Sequence, residues 1–314
     1  MKVSYEQKSK VGQLVLDCLA KGVIPWKQPW FSDGLNHSGI TILSDGSVKP
    51  SAEYTGRNSI VAQLASIVRN YSSLVWLTFP AFQRIKKINP AVRMKAGSKA
   101  IPIFRWIKIM EWEDKEQTIP KLDKKGDQKW HWTGMVFQVF NGDCFENLVV
   151  KETKAPVEIN PQPYESEDLA NKILASYPDA PKVYYDAHNK AYYDIVTDTI
   201  HLQKIATFHS LPEFVSTLAH ELGHSTGANH RLKRDLTRAA YDYDELVAEL
   251  TACLVCSHLG IIMDTIENST AYINHWSHNL ETHMDMFWDA MEDAVKSSNL
   301  ILSGWKDDVV SKAI

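Results

Sequence analysis

The chain has 314 residues, 44% of them hydrophobic and 23% charged, which fits a folded two-domain protein and excludes a disordered or fibrous one. No apolar run approaches the roughly 18 residues of a membrane span, no apolar signal core follows the N-terminus, and four cysteines are too few for a disulfide scaffold. A cytoplasmic protein without a membrane partner is therefore expected. The net charge of −4 hides a division: residues 1–150 hold 21 Lys and Arg against 13 Asp and Glu, a balance of +8, whereas residues 151–314 hold 13 against 25, a balance of −12. A basic half beside an acidic half points to two jobs, the basic one compatible with a polyanion.

In chain order, Val11, Leu14, Val15, Cys18 and Leu19 follow helical spacing, and Gly22 is placed to stop that helix. A stiff aromatic loop follows, Pro25-Trp26-Lys27-Gln28-Pro29-Trp30, then a helix over Ser59–Asn70. Ala100–Met110 and Trp130–Phe140 alternate as strands do, with Glu113–Gln128 read as the long loop of a hairpin between them. Seven of the ten tryptophans fall in residues 1–150. They are interleaved with cations, the combination that single-stranded nucleic acid wants, because bases stack on rings and phosphates pair with Lys and Arg. Trp26, Lys27, Trp30, Arg57, Trp76, Arg93, Lys95 and Lys99 are the DNA-binding candidates. No zinc-finger spacing or phosphate-binding Gly-rich loop accompanies them, so base-specific reading of a duplex is not expected.

Lys151–Tyr164 carries three prolines and little periodicity, and reads as a linker over residues 151–164 between a domain of 1–150 and one of 165–314. The second domain opens with a helix over Ser166–Ser176, continues through strand-like Lys182–Asp186 and Ala191–Leu202, and is helical from Ser210 onward. The fold class is α+β: a basic α+β domain, then a mostly helical domain with a small sheet.

The sharpest chemical signal is His220-Glu221-Leu222-Gly223-His224. On a helix the two histidines share a face and can hold one Zn2+, and the glutamate between them can act as general base on water at the metal. Ser210 and Glu213 form a capping box with Pro212 in the first turn, and Leu211, Phe214, Val215, Leu218 and Leu222 supply a core face. Gly227 is placed to end the helix. A third ligand has three candidates. Glu245 and Glu249 lie one turn apart on a helix with the apolar face Leu246, Val247, Leu250 and Leu254; one can ligate while the other holds a histidine's outer nitrogen. The third is His230, which completes a metzincin-like spacing, with Met263 as a possible Met-turn. Tyr243, Tyr272, His275 and His278 are candidates for stabilising an oxyanion. Tyr192–His201, ahead of the motif, can be an edge strand that pairs with an extended peptide. Cys253-x-x-Cys256, alone in an apolar helical pattern, reads as two buried structural thiols.

The chain resembles the ArdC-type antirestriction proteins of plasmids and phages. The resemblance rests on PWKQPW (Pro25–Trp30), EYTGRN (Glu53–Asn58), WLTF (Trp76–Phe79), the Arg93–Trp106 segment, FQVFN (Phe137–Asn141), YYDIVTDTIHL (Tyr192–Leu202), LAHELGHSTG (Leu218–Gly227), HRLKR (His230–Arg234), YDYDELVAEL (Tyr241–Leu250) and AYINHW (Ala271–Trp276). It implies a domain that binds single-stranded DNA, a zincin-like metallopeptidase domain acting on a peptide or protein substrate, and a role in shielding incoming DNA from restriction. It also implies His220, His224 and Glu245 as zinc ligands, Glu221 as the base, and Glu249 behind a histidine.

Overall fold

The computed structural model describes residues 4–24, 37–114, 116–151, 166–187, 190–236, 241–261 and 270–305. Trp26, Lys27, Trp30, Met263 and residues 152–164 of the expected linker lie outside them, as does the side chain of Tyr272. The described residues form two compact units: 4–10 with 37–151, and 11–24 with 166–305. The division departs from chain order at the first helix, α1 (Tyr5–Ala20), which goes with the second unit from Val11 onward. Its Val11, Leu14, Val15, Cys18 and Leu19 are all buried, and a Cβ at Gly12 would collide with the Met284 carbonyl. Gly22, at φ 73°, follows its end.

The first unit begins with an antiparallel pair, β1 (Ser38–Ile42) and β2 (Val48–Glu53). Helix α2 (Arg57–Arg69) ends on Asn70 in the left-handed region, φ 52°, a residue type that tolerates it. Strand β3 (Trp76–Thr78) runs into α3 (Phe79–Ile88), whose first free amides are met by Thr78 accepting from the Ala81 N–H, with Pro80 in the first turn. Strands β5 (Ile101–Met110) and β6 (Trp130–Asn141) form the hairpin expected from their alternation, in a sheet of order β3-β6-β5. The short β4 (Arg93–Met94) pairs with β7 (Phe145–Glu146). Leu77, Phe82, Ile85, Val92 and Phe145 make the core beneath α3. On the edge strand β5, Asn58 of α2 accepts from the Phe104 N–H at 2.9 Å and donates to the Phe104 carbonyl at 2.7 Å, so one side chain stands in for a missing strand.

The second unit holds α4 (Ser166–Ser176), the strands β8 (Lys182–Tyr184), β9 (Tyr192–Asp194) and β10 (Thr199–His201), then α5 (Leu211–Ser225), α6 (Tyr241–His258), α7 (Thr270–Thr282) and α8 (Met286–Ile301). The run Tyr192–His201 is two strands rather than one. Asp194 accepts from the Val196 N–H at 2.8 Å and Asp198 takes φ 53°, which turns the chain between them. The sheet order is β8-β10-β9, so the edge belongs to β9 and β10 lies in the centre, parallel to β8. The cap of α5 is as expected: the Ser210 hydroxyl accepts from the Glu213 N–H at 3.2 Å, and the Glu213 carboxylate reaches back to the His209 N–H at 2.7 Å. Helix α6 is buried nearly all round, as the central helix of this unit must be, and α8 packs on it.

Candidate metal centre and exposed aromatic hairpin

His220 and His224 lie on the last two turns of α5, and Glu245 faces them from the second turn of α6. What lets the helices approach is Gly223: a Cβ there would stand 2.9 Å from the Ala248 Cα. The His220 and His224 Nε2 atoms are 3.1 Å apart, and Glu245 oxygens lie 3.5 Å from the first and 3.7 Å from the second. One ligand atom from each of the three residues falls within 4.8 Å of the other two. Zn–N bonds of about 2.0–2.1 Å meeting at a tetrahedral angle separate two ligating nitrogens by about 3.3 Å. The spacing and the His-His-carboxylate donor set thus fit a divalent ion.

The electrostatics point the same way. Desolvation pushes the His220 imidazole down, but its hydrogen bond to Glu245 and the charges of Glu249, Glu221 and Glu245 outweigh that and hold its pKa up at about 9. The cluster is an anionic pocket that attracts positive charge. Burial pushes the Glu221 carboxyl up from the usual range, against the opposing charges of His220 and His224, and the carboxylate accepts from the Tyr193 N–H of β9. Glu221, His220, His224 and Glu245 all line a cleft of about 420 Å³ whose other wall is Ala191–Tyr193 and Ile195.

His224 is oriented from behind by Asp244: its Nδ1 lies 2.6 Å from an Asp244 oxygen. A carboxylate only accepts, so Nδ1 carries a proton and donates, which turns Nε2 toward the cluster. Glu249 sits one turn further along α6 and acts on His220 as a nearby charge. His230 is not brought to the cluster. Its side chain is 52% exposed and faces Asp198 at 3.5 Å, because the chain turns away after Gly227. The Tyr243 hydroxyl donates to Asp293 at 2.8 Å and His275 faces Asp242 at 3.4 Å, so neither is aimed at the cleft. Cys253 and Cys256 are buried free thiols, and burial pushes Cys253 up to about 12.

Of the DNA-binding candidates among the described residues, Trp76 is overturned. Its side chain is 1% exposed, its Nε1–H donates to His37 Nδ1 at 3.1 Å, and Tyr71 and His37 meet it edge-on. Arg93, Lys95 and Lys99 are exposed on β4 and the segment after it. The Arg57 guanidinium lies 4.7 Å over the Phe104 ring. The exposed tryptophans are others: Trp106 at 61%, Trp132 at 57% and Trp130 at 43%. The register Trp106↔Gly134, Lys108↔Trp132 and Met110↔Trp130 puts all three rings and Lys108 on one face of the hairpin. The Lys108 ammonium stands 4.2 Å from the Trp130 ring, and Phe104 covers Gly134 at the foot of the row. Alternation flagged both strands but could not mark where they leave the core, so these residues were not among the candidates.

A family description of the N-terminal domain of the anti-restriction factor ArdC matches residues 6–140, and one of a zincin-like metallopeptidase matches residues 176–293. The first part of the chain is thus similar to the N-terminal domain of ArdC, and the second to a zincin-like metallopeptidase domain. Crystal structures of the antirestriction ArdC protein from the R388 plasmid are similar in fold to this chain: the metal-free form at TM-score 0.61 and 24% identity, covering 96% of this chain and 98% of that one, and the Mn(II)-bound form at the same score, covering 95% and 97%. The chain is also similar to a DNA primase TraC of Escherichia coli, 28% identical over 94% of this chain. This chain spans only 27% of that primase's length. An uncharacterized protein y4eC of Sinorhizobium fredii is 23% identical over 91% of this chain and 88% of its own.

Proposed function

We propose that this chain is an antirestriction-type protein that binds single-stranded DNA with its first domain and hydrolyses peptide bonds at a zinc ion in its second, protecting incoming mobile-element DNA. The observation that carries the reading is the convergence of His220, His224 and Glu245 with the buried Glu221 in one cleft beside β9. His220, His224 and Glu245 would hold the ion, a donor set typical of catalytic zinc. A divalent ion held there supplies Lewis-acid polarisation of a carbonyl and lowers the pKa of water toward about 7.

The rest is the work of the chain. The edge of β9 that does not pair with β10 has its Tyr193 N–H on Glu221 and offers its remaining backbone groups to an extended peptide, which lays its scissile bond across the cleft. Glu221 accepts a proton from the attacking water on its carboxylate and returns it to the leaving amine nitrogen. Burial suits it to hold that proton between the two steps. Asp244 keeps the His224 ring from turning out of the cleft. In the first domain, the row Trp106, Trp132 and Trp130 gives bases a stacking surface, and Lys108 and Arg57 give phosphates a partner. The antirestriction ArdC protein of similar fold supports the biological role, and its Mn(II)-bound form supports a divalent metal.

The test has two arms. Zinc-loaded protein cleaves fluorescein-labelled casein, and Glu221→Gln abolishes the cleavage while the metal content stays that of the parent. Anisotropy with labelled oligonucleotides of one sequence gives tighter binding single-stranded than duplex, weakening steeply with salt. Cleavage indifferent to Glu221→Gln would remove the peptidase. Equal or absent binding at low salt would remove the DNA and leave the first domain a protein-recognition module.

A further inference from the structure

We infer that Arg234 and Asp244 form a positioning pair that fixes His224 for the metal, an inference that rests on the metal-binding reading above. Arg234 stands in the turn beyond α5 with its side chain only 4% exposed. All five of its N–H donors are engaged. Nε and Nη2 bind one Asp244 oxygen at 3.0 and 2.9 Å, Nη2 also binds the Gly223 carbonyl at 2.7 Å, and Nη1 binds the Thr226 hydroxyl at 2.6 Å and the Ser297 hydroxyl at 3.1 Å. The other Asp244 oxygen accepts from His224 Nδ1 at 2.6 Å.

The chain of bonds therefore leaves α5 at Gly223, passes through the guanidinium and the carboxylate, and returns to α5 at His224. It is a closed brace around the C-terminal turn of the motif helix. Each member needs the next. A carboxylate as buried as Asp244, 8% exposed, requires a cation beside it. That cation must present several donors in a fixed plane to hold Asp244 and Gly223 together, which a guanidinium does and an ammonium does not. The product of the brace is a defined imidazole tautomer, Nδ1 protonated and Nε2 free, before any metal arrives.

The same turn supplies an internal control. Arg231 is as buried, at 2% exposed, and also grips a carboxylate with two nitrogens, Asp198 at 2.7 and 2.9 Å. Its other partners are the Asp179 and Ser225 carbonyls and the Tyr177 ring, and Asp198 also accepts from the Tyr193 hydroxyl, so none of its direct partners is a histidine of the cluster. Loss of Arg231 loosens the turn as loss of Arg234 does, without touching His224.

The experiment titrates Mn(II) alone, followed by electron paramagnetic resonance, into the metal-stripped full-length parent, Arg234→Lys, Asp244→Asn and Arg231→Lys. Circular dichroism and melting temperature report whether each is folded. The expected result is a loss of about ten- to a hundredfold in Mn(II) affinity for Arg234→Lys and Asp244→Asn, with Arg231→Lys within about twofold of the parent. A second readout needs no metal. The imidazole nitrogen shifts of His224 in the stripped protein report a single Nδ1–H tautomer in the parent and a mixture in Asp244→Asn, which carries the test should Arg234→Lys not fold. Parent-like Mn(II) affinity and an unchanged tautomer in both variants would overturn the pair, as would an equal loss in Arg231→Lys. A parent that binds no divalent ion would instead overturn the metal reading itself, and the inference with it.

Discussion

The indole of Trp76 is enclosed by Tyr71 and His37, and its single donor is used on His37 Nδ1. That bond fixes His37 with its Nε2–H toward the Gln63 side-chain Oε1, 2.6 Å away, so three polar groups are satisfied together inside the first unit. Trp106 and Trp132 present most of their area to water instead. The same substitution therefore has opposite consequences. Trp76→Ala leaves a cavity and removes the Nε1–H donor to His37 Nδ1, at a cost of about 3–5 kcal/mol in folding stability. Trp106→Ala and Trp132→Ala shift stability by no more than about 0.5 kcal/mol. On the proposed DNA surface each costs about 1–3 kcal/mol of single-strand affinity. Urea unfolding and oligonucleotide anisotropy on the three variants check both halves. Normal DNA affinity in Trp106→Ala and Trp132→Ala together would place the bases elsewhere.

At the scale of elements, Gly223 shows how one atom sets a site. Inside a helix, glycine normally gives up about 1 kcal/mol to alanine. Here an added Cβ would meet the Ala248 Cα at 2.9 Å and the Thr251 Cβ at 3.3 Å, and the obstacle is backbone, which cannot swing aside. Overpacking of this kind costs about 1–3 kcal/mol, enough to cancel the helical gain. Gly223→Ala is thus expected to be less stable than the parent and, by separating α5 from α6, to bind metal more weakly. Unfolding curves with and without Mn(II) measure the two effects, and a more stable variant with unchanged metal affinity would refute the close crossing.

Local signals were legible in the chain for the same reason that they are local. The capping box Ser210–Glu213, the spacing of His220 and His224, and the one-turn pair Glu245 and Glu249 need only helical geometry to be read. The role of Asp244 was not legible, because an aspartate near the start of α6 reads equally well as a helix-start residue, and only the return of the chain at Arg234 brings it behind His224. The break between β9 and β10 was hidden by Ile195 and Val196, strong strand formers that the structure exposes at a turn.

For the molecule as a whole, the charge division of the sequence, +8 in residues 1–150 and −12 in residues 151–314, is matched by the separation of the two compact units, with the proposed metal ligands His220, His224 and Glu245 entirely in the acidic one. A metal that binds only the folded state stabilises it by RT ln(1 + [L]/Kd), about 2.7 kcal/mol at a hundredfold excess over Kd. Chelation is therefore expected to lower the melting temperature of the unit that carries His220, His224 and Glu245. It should leave single-strand affinity at the parent value, since none of the described tryptophans proposed to stack lies in that unit. Calorimetry with and without chelator, and anisotropy under the same two conditions, decide the matter. Should chelation weaken DNA binding by some factor, linkage requires single-stranded DNA to tighten the metal by the same factor, and the peptidase would then be expected to respond to DNA. Independence of the two measurements would instead mean that the domains share a chain without sharing free energy, each doing its task whether or not the other is occupied.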